Sequence, residues 1–468
     1  MQEQKKAFDN LEQFKKSNLR DTTHLTLNLG EQQLGDEGVK DMSVNLSKCT
    51  ELSHLVIYIY ENQIGNEGAK SFGQALGNCK KLIDCKLWIY QNLIEDAGAS
   101  YIAAGLCNFN LITSLGLSLL KNNIGDEGVY DIGLALSKCQ NLTNLKLWLH
   151  TNQFGDKGLS AIIIGLNSCD KINDLGLSLS KNKITDEGYE KLDQCLSGLT
   201  NLKSLLCVFS DNEKLLKSRE ILNCKNIKVL TLSFCNQQIG DEGVKSIGMS
   251  LSQCTELTYL CIFICGNQIS NEGAQNLSLG LGYCKKLEEL QLYIQYNQIG
   301  NLGASSISTS LKNFTQIRNL ILCLQENSIG DNGICEIGLA LSKYKNLTKL
   351  KLLAHTNQFG DIGVNAILQS LNDCNKISHL SLSLSQNKIT DEGYQKIYQC
   401  LSNLTNLISL AYVFSDNERL LKSTDILNCQ NIKVLTLNFC LCSSKQEDFK
   451  HQRKAFKIKR LVKLLKYG

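Results

Sequence analysis

The phrase NQIGDEG, or a close variant, returns every 30 residues along a chain of 468. It reads QQLGDEG from Gln32, NQIGNEG from Asn62, NLIEDAG from Asn92, NNIGDEG from Asn122, NQFGDKG from Asn152 and NKITDEG from Asn182. After a weaker copy at Asn212 the next begins only 25 residues on, at Gln237, and the 30-residue beat then resumes. Residues 205 apart also match: HTNQFGDKG at His150 returns as HTNQFGDIG at His355. A fixed period of this length marks stacked supersecondary units, not a mosaic of unlike domains. The expected organisation is an N-terminal capping helix over 1–18, a seven-repeat block over 19–228, its duplicate over 229–442, and a tail over 443–468. No proline interrupts the run.

Within one unit the apolar residues define two elements. Leu145, Leu147 and Leu149 alternate, as a strand that buries one face does. Asn152 follows, and Gly155-Asp156 leads into a stretch with Leu159, Ile162, Ile163 and Leu166 at helical spacing. Asp156 is expected to cap that helix. A lone strand–turn–helix unit cannot bury its apolar face, so neighbours must stack into one continuous core.

These residues resemble leucine-rich repeats, and the DEG-plus-helix phrase is most similar to the ribonuclease-inhibitor subtype. The resemblance runs from about Leu19 to Cys442. It implies an α/β solenoid, a horseshoe of about 14 strand–helix repeats with a parallel sheet on the concave face and helices on the convex one. Here L-x-x-L-x-L-x-L-x-x-N replaces the subtype's shorter phrase, which lengthens the strand side. The two 25-residue units, from Asn212 and from Asn417, lack GDEG and are expected to carry shortened helices.

Two ladders follow from the period. The Asn ladder reads as scaffold, because an Asn at a strand exit can satisfy backbone groups of its own and adjacent turns. Nine of the 21 cysteines, beginning Cys49, Cys79 and Cys139, fall at one helix-end position and read as small buried hydrophobes. With no secretory signal after MQEQKKAFDN, free thiols and a cytoplasmic location are expected. Cys235 and Cys265, with Cys261 nearby, form the one local cluster, weighed as a redox pair or as an incomplete soft-metal site.

Residues between the leucines point to the expected concave face. There stand Tyr58, Tyr60, Lys86, Trp88, Tyr90, Lys146, Trp148 and His150, with Phe263, Tyr293 and His355 in the duplicate. Trp88 and Trp148 are the chain's only tryptophans and occupy the same repeat position two strands apart. Gly116 and Ser118 lie between them, a small-residue floor between walls about 10 Å apart. Trp and Tyr are enriched at interface hot spots, so these residues are read as partner-binding. The scaffold recurs in the duplicate while this face changes: Trp148 becomes Leu353 and Tyr90 becomes Gln295.

No catalytic motif is present, whether a P-loop, H-E-x-x-H, G-x-S-x-G or the kinase phrases. No cofactor or metal is expected. The net charge of +4 is too small to argue for nucleic acid, and no apolar run has the length of a membrane span. The tail from Lys445 carries a net of +7, and Ile458, Leu461, Val462 and Leu465 recur at helical spacing, so it reads as a basic amphipathic helix. It either caps the last repeat or binds a membrane surface or an acidic partner. The leading reading is a monomeric, cytoplasmic, non-enzymatic scaffold for an unidentified protein. The resemblance also implies two alternatives: a GTPase-activating protein of the Ran-GAP-like type, or the sensor part of a larger kinase or nucleotide-binding protein.

Overall fold

The computed structural model describes residues 4–208, 226–414, 432–440 and 462–467. They fall into two compact units, Met1–Ile227 and Lys228–Gly468. In each, parallel strands alternate with helices through the 30-residue repeats.

The strands of the first unit are Lys5–Phe8 (β1), His24–Asn28 (β2), His54–Tyr58 (β3), Asp84–Trp88 (β4), Ser114–Ser118 (β5), Asn144–Trp148 (β6), Asp174–Ser178 (β7) and Ser204–Val208 (β8). Its helices are Leu11–Lys16 (α1), Gly35–Leu46 (α2), Asn66–Leu76 (α3), Asp96–Leu106 (α4), Asp126–Lys138 (α5), Asp156–Asn167 (α6) and Asp186–Gly198 (α7). The second unit continues with Val229–Ser233 (β9), Tyr259–Phe263 (β10), Glu289–Tyr293 (β11), Asn319–Cys323 (β12), Lys349–Leu353 (β13) and His379–Ser383 (β14). Ser409–Phe414 (β15), Val434–Cys440 (β16) and Val462–Tyr467 (β17) complete its strands. Between them lie Gly240–Leu251 (α8), Asn271–Leu281 (α9), Asn301–Leu311 (α10), Asp331–Leu341 (α11), Asp361–Asp373 (α12) and Asp391–Asn403 (α13).

Register is what makes the repeat a sheet. Leu87 pairs with Leu117 and Leu117 with Leu147, so each leucine row stays on the helix side. There Leu145, Leu147, Leu159, Ile162 and Leu166 are fully buried. The extra step of the lengthened phrase, Leu149, lies just past β6 and is equally buried.

The Asn ladder holds the strand exits. Asn62 Nδ2 donates to the Leu29 carbonyl at 2.7 Å, while its Oδ1 accepts from the amides of Gln32 (2.9 Å) and Leu34 (3.1 Å). One side chain thereby closes the preceding repeat's turn. Asn92 repeats this on Asn62 and Ile64. The flanking residues pay a conformational cost, since Glu61 and Gln63 both have left-handed backbone, with φ of 53° and 58°.

Helix capping departs from expectation. Asp156 does not cap α6; the N-cap is Gly155, which has no side chain to offer. Asp126 of the previous repeat accepts from the amides of Gly155 and Gly158, both at 2.8 Å. Asp96 serves α5 in the same way through Gly125 and Gly128, and Asp331 serves α12. The carboxylate lies nearer the next helix's orphan amides than its own. This close approach explains the glycine of DEG: a Cβ on Gly128 would lie 2.9 Å from Asp96 Oδ1.

Both termini also depart from the helices expected there. Residues expected as one N-terminal helix form β1, paired with β2, and then the short α1, capped by Asn10. Phe8 sits on the strand and meets the buried Phe14 edge to face at 5.5 Å. In the tail, Val462 and Leu465 lie in β17, which pairs in parallel with β16, and not in a helix. An unpaired edge strand gains backbone partners by adding a strand, and here that outweighs the helical spacing. Ile458 and Leu461 lie outside the described residues, as do the shortened helices expected within 209–225 and 415–431.

Candidate functional site

Side chains facing away from the helices form the open face of each sheet. In the first unit the ends of β3 and β4 bring Tyr58 and Trp88 together, their rings parallel within 4° and 6.3 Å apart at the centroids. Just beyond those ends Tyr60 and Tyr90 stack at 4.6 Å. Partial burial, and then the neighbouring Tyr60 and glutamates, raise the Tyr90 phenol above its ordinary range. Ring stacking at two repeat positions gives four aromatic residues a common, ordered edge.

Trp88 and Trp148 both pair with Ser118, the first across β4 and β5, the second across β5 and β6. The expected open floor is absent at this point, because Ser118 is 0% exposed. The cause is side-chain size: neighbouring large groups close over small ones. Trp148 likewise covers Gly176, where a Cβ would lie 3.0 Å from its Cη2. Two polar atoms are caught in this closure. Among the described residues neither Trp88 Nε1 nor Ser118 Oγ has a hydrogen-bond partner, although both are buried.

Charge flanks the aromatics. Lys86 lies 3.5 Å from Asp84 and Lys146 lies 4.0 Å from Asp174, with both lysine side chains about half exposed. Between them stands Gly116, which carries no side chain to separate them. His150 shares a 2.8 Å hydrogen bond with Ser178 through Nδ1. Burial, and then the charges of Lys121 and Lys181, hold its imidazole below the usual range and favour the neutral form.

The second unit repeats part of this. Phe263 and Tyr293 stack at 4.3 Å, and the Tyr293 hydroxyl donates to Gln291 at 3.3 Å. Burial pushes the Tyr293 phenol up to about 12. His355 bonds Ser383 through Nδ1 at 2.9 Å, and burial lowers its pKa, as for His150. The residue pairs match across the duplication; the tryptophans do not.

The sequence reading missed one pair. His24 and His54 stack at 4.1 Å, each with Nδ1 bonded to a preceding hydroxyl, Thr23 or Ser53. Their 30-residue separation was the available signal.

One local cluster takes the redox-pair form weighed for it, an exception to the free thiols expected of the chain. Cys235 and Cys265 form a disulfide, with 4.7 Å between Cα atoms, so they are not free thiols. Adjacent parallel strands hold equivalent positions at about this spacing, which suits a bridge without rearrangement. Cys261 is separate and buried. Ladder members Cys49, Cys79, Cys139, Cys169, Cys284 and Cys374 are buried thiols, and loss of solvation pushes Cys49 to about 11 and Cys79 to about 12. Among the described residues no His, Cys, Asp and Glu group could hold a metal ion, and no helix is long and apolar enough to cross a membrane.

Against known proteins, the leucine-rich repeat model matches residues 177–192, 223–248, 283–308 and 376–397. No curated protein matches the chain by sequence. Among solved structures, an internalin (inlF) from Listeria monocytogenes is similar with a TM-score of 0.40 and 20% identity, over 78% of this chain and 82% of that one.

Proposed function

We propose that the chain is a non-enzymatic interaction scaffold that binds a partner protein on the open sheet face of its first unit. Leucine-rich repeats generally serve as protein-interaction scaffolds. The observation that carries the reading is the aromatic row Tyr58–Trp88 and Tyr60–Tyr90, with Trp148 two strands along, on a face that among the described residues packs against no helix. Large amphipathic rings held rigid by stacking suit an interface, since little conformational freedom is lost when they are covered. The ribonuclease-inhibitor-like subtype and a monomeric state belong to the same proposal. So does a cytoplasmic location, which the many buried thiols favour and where Cys235–Cys265 is the pair exposed to reduction.

The test begins with affinity purification of wild type against Trp88→Ala/Trp148→Ala, with recovered proteins identified by mass spectrometry. A partner lost in the double variant, while both proteins melt alike, supports the reading. Equal recovery of every partner contradicts it.

A further inference from the structure

We propose that the ligand of this face is an acidic peptide segment of the partner, its carboxylate seated between Lys86 and Lys146 against Trp88 and Ser118. The inference rests on the scaffold reading and names the chemistry that the face would recognise.

Charge gives the sign. From β4 through β7 the open face and the turns just beyond it carry Lys86, Lys121, Lys146 and Lys181 against only Asp84 and Asp174. The pairs Lys86–Asp84 and Lys146–Asp174 are long, at 3.5 and 4.0 Å, and half exposed, so an incoming carboxylate can replace them at little cost. Neither lysine needs to leave the surface to do so.

Hydrogen bonding gives the class. Trp88 Nε1 can only donate, and the Ser118 hydroxyl has a proton to donate; both are buried and unpartnered among the described residues. Ser118 sits in register directly between the two indoles. A group that uses both donors and faces two ammonium groups must be an anionic acceptor. A carboxylate meets that description, and the flanking rings accommodate an apolar neighbour of it along the peptide. The Trp88 side chain has to turn to present Nε1, so binding is coupled to a change in the indole's surroundings.

The duplicate provides an internal control. In the second unit the equivalents of Gly116 and Ser118 are Ile321 and Cys323, which occupy the gap and remove the hydroxyl. Lys86, Lys121 and Lys181 become Gln291, Glu326 and Gln386, and Trp148 becomes Leu353. Over the equivalent stretch, β11 through β14, two lysines, Lys349 and Lys351, stand against two glutamates, Glu289 and Glu326. The cationic arrangement with a buried serine between two indoles belongs to the first unit alone, although the scaffold is shared.

The experiment selects a random twelve-residue display library on the purified full chain, then titrates the enriched peptides. With only two tryptophans in the chain, both at this site, intrinsic fluorescence reads occupancy with peptides that lack Trp and Tyr. The expected result is enrichment of Asp/Glu beside an apolar residue, a fluorescence change on binding, and weaker binding as salt rises. Lys86→Glu/Lys146→Glu should lower affinity about tenfold or more while leaving the melting temperature nearly unchanged. Calorimetric titration covers the double tryptophan variant, which has no indole left to report: loss of binding in Trp88→Ala/Trp148→Ala but not in the lysine variant keeps the face and overturns the carboxylate. Enrichment of peptides indifferent to all four residues overturns the scaffold reading itself. Failure to enrich acidic peptides, or a twelve-nucleotide single strand that binds the same residues more tightly, also overturns the acidic-peptide assignment.

Discussion

At the scale of single residues, the same polar group can be scaffold or site according to whether its bonds are already made. Asn62 and Asn92 have spent theirs on neighbouring backbone. Asn92→Ala should therefore destabilise the protein by about 2 kcal/mol, because the amide of Ile64 loses its acceptor inside the core; urea denaturation measures it. Ser118→Ala breaks no hydrogen bond in the described structure and removes a buried hydroxyl without a partner, so it should leave the urea midpoint unmoved or raise it. The histidines link stability to pH. Burial lowers the pKa of His150 and His355, so the unfolded chain takes up their protons first as pH falls. Their contribution is fully present above the ordinary value of about 6.5 and is lost as pH falls through that value towards the folded one. His150→Gln/His355→Gln should flatten the decline of Tm between pH 7.5 and 5; an unchanged slope relative to wild type would contradict this.

At the scale of elements, each repeat completes its neighbour. Asp126→Ala should leave α5, whose own amides are met by Asp96, and uncap α6 instead. The expected cost is about 1–2 kcal/mol, with hydrogen exchange accelerated at Gly155 and Gly158 and not at Gly125 and Gly128. The strand and helix of each repeat were legible because alternation in Leu145–Leu149 and the stripe from Leu159 to Leu166 are local patterns. The capping was not, since Asp126 reaches amides 29 and 32 residues away and no local spacing reveals which helix it serves. The same limit applies to β17: helical spacing of apolar residues says nothing about the strand edge they meet. Among the candidate site residues, the face and the rows were readable from parity along the strand. The stacking of Tyr60 on Tyr90 and the closure over Ser118 depend on side-chain directions that parity leaves open.

At the scale of the whole molecule, duplication kept the core and altered the open faces. The Leu and Asn positions recur 205 residues apart, whereas Trp88, Trp148 and Lys86 are replaced and, of the lysines beside the tryptophans, Lys146 alone is kept, as Lys351. A scaffold whose two faces are unequal should bind unequally, and that is the central claim. Thiol chemistry offers a separate check on the fold: the exposed Cys107 should label ahead of buried Cys79 and Cys139, which become reactive only on unfolding. The most direct measurement is the dissociation constant of one identified partner for wild type, Trp88→Ala, Trp148→Ala and the duplicate-face variant Tyr293→Ala, with melting curves on the same samples. The account expects each tryptophan variant to weaken binding by about thirtyfold, Tyr293→Ala to bind nearly as wild type, and all four to melt alike. Full affinity in both tryptophan variants, with binding lost in Tyr293→Ala, would contradict it.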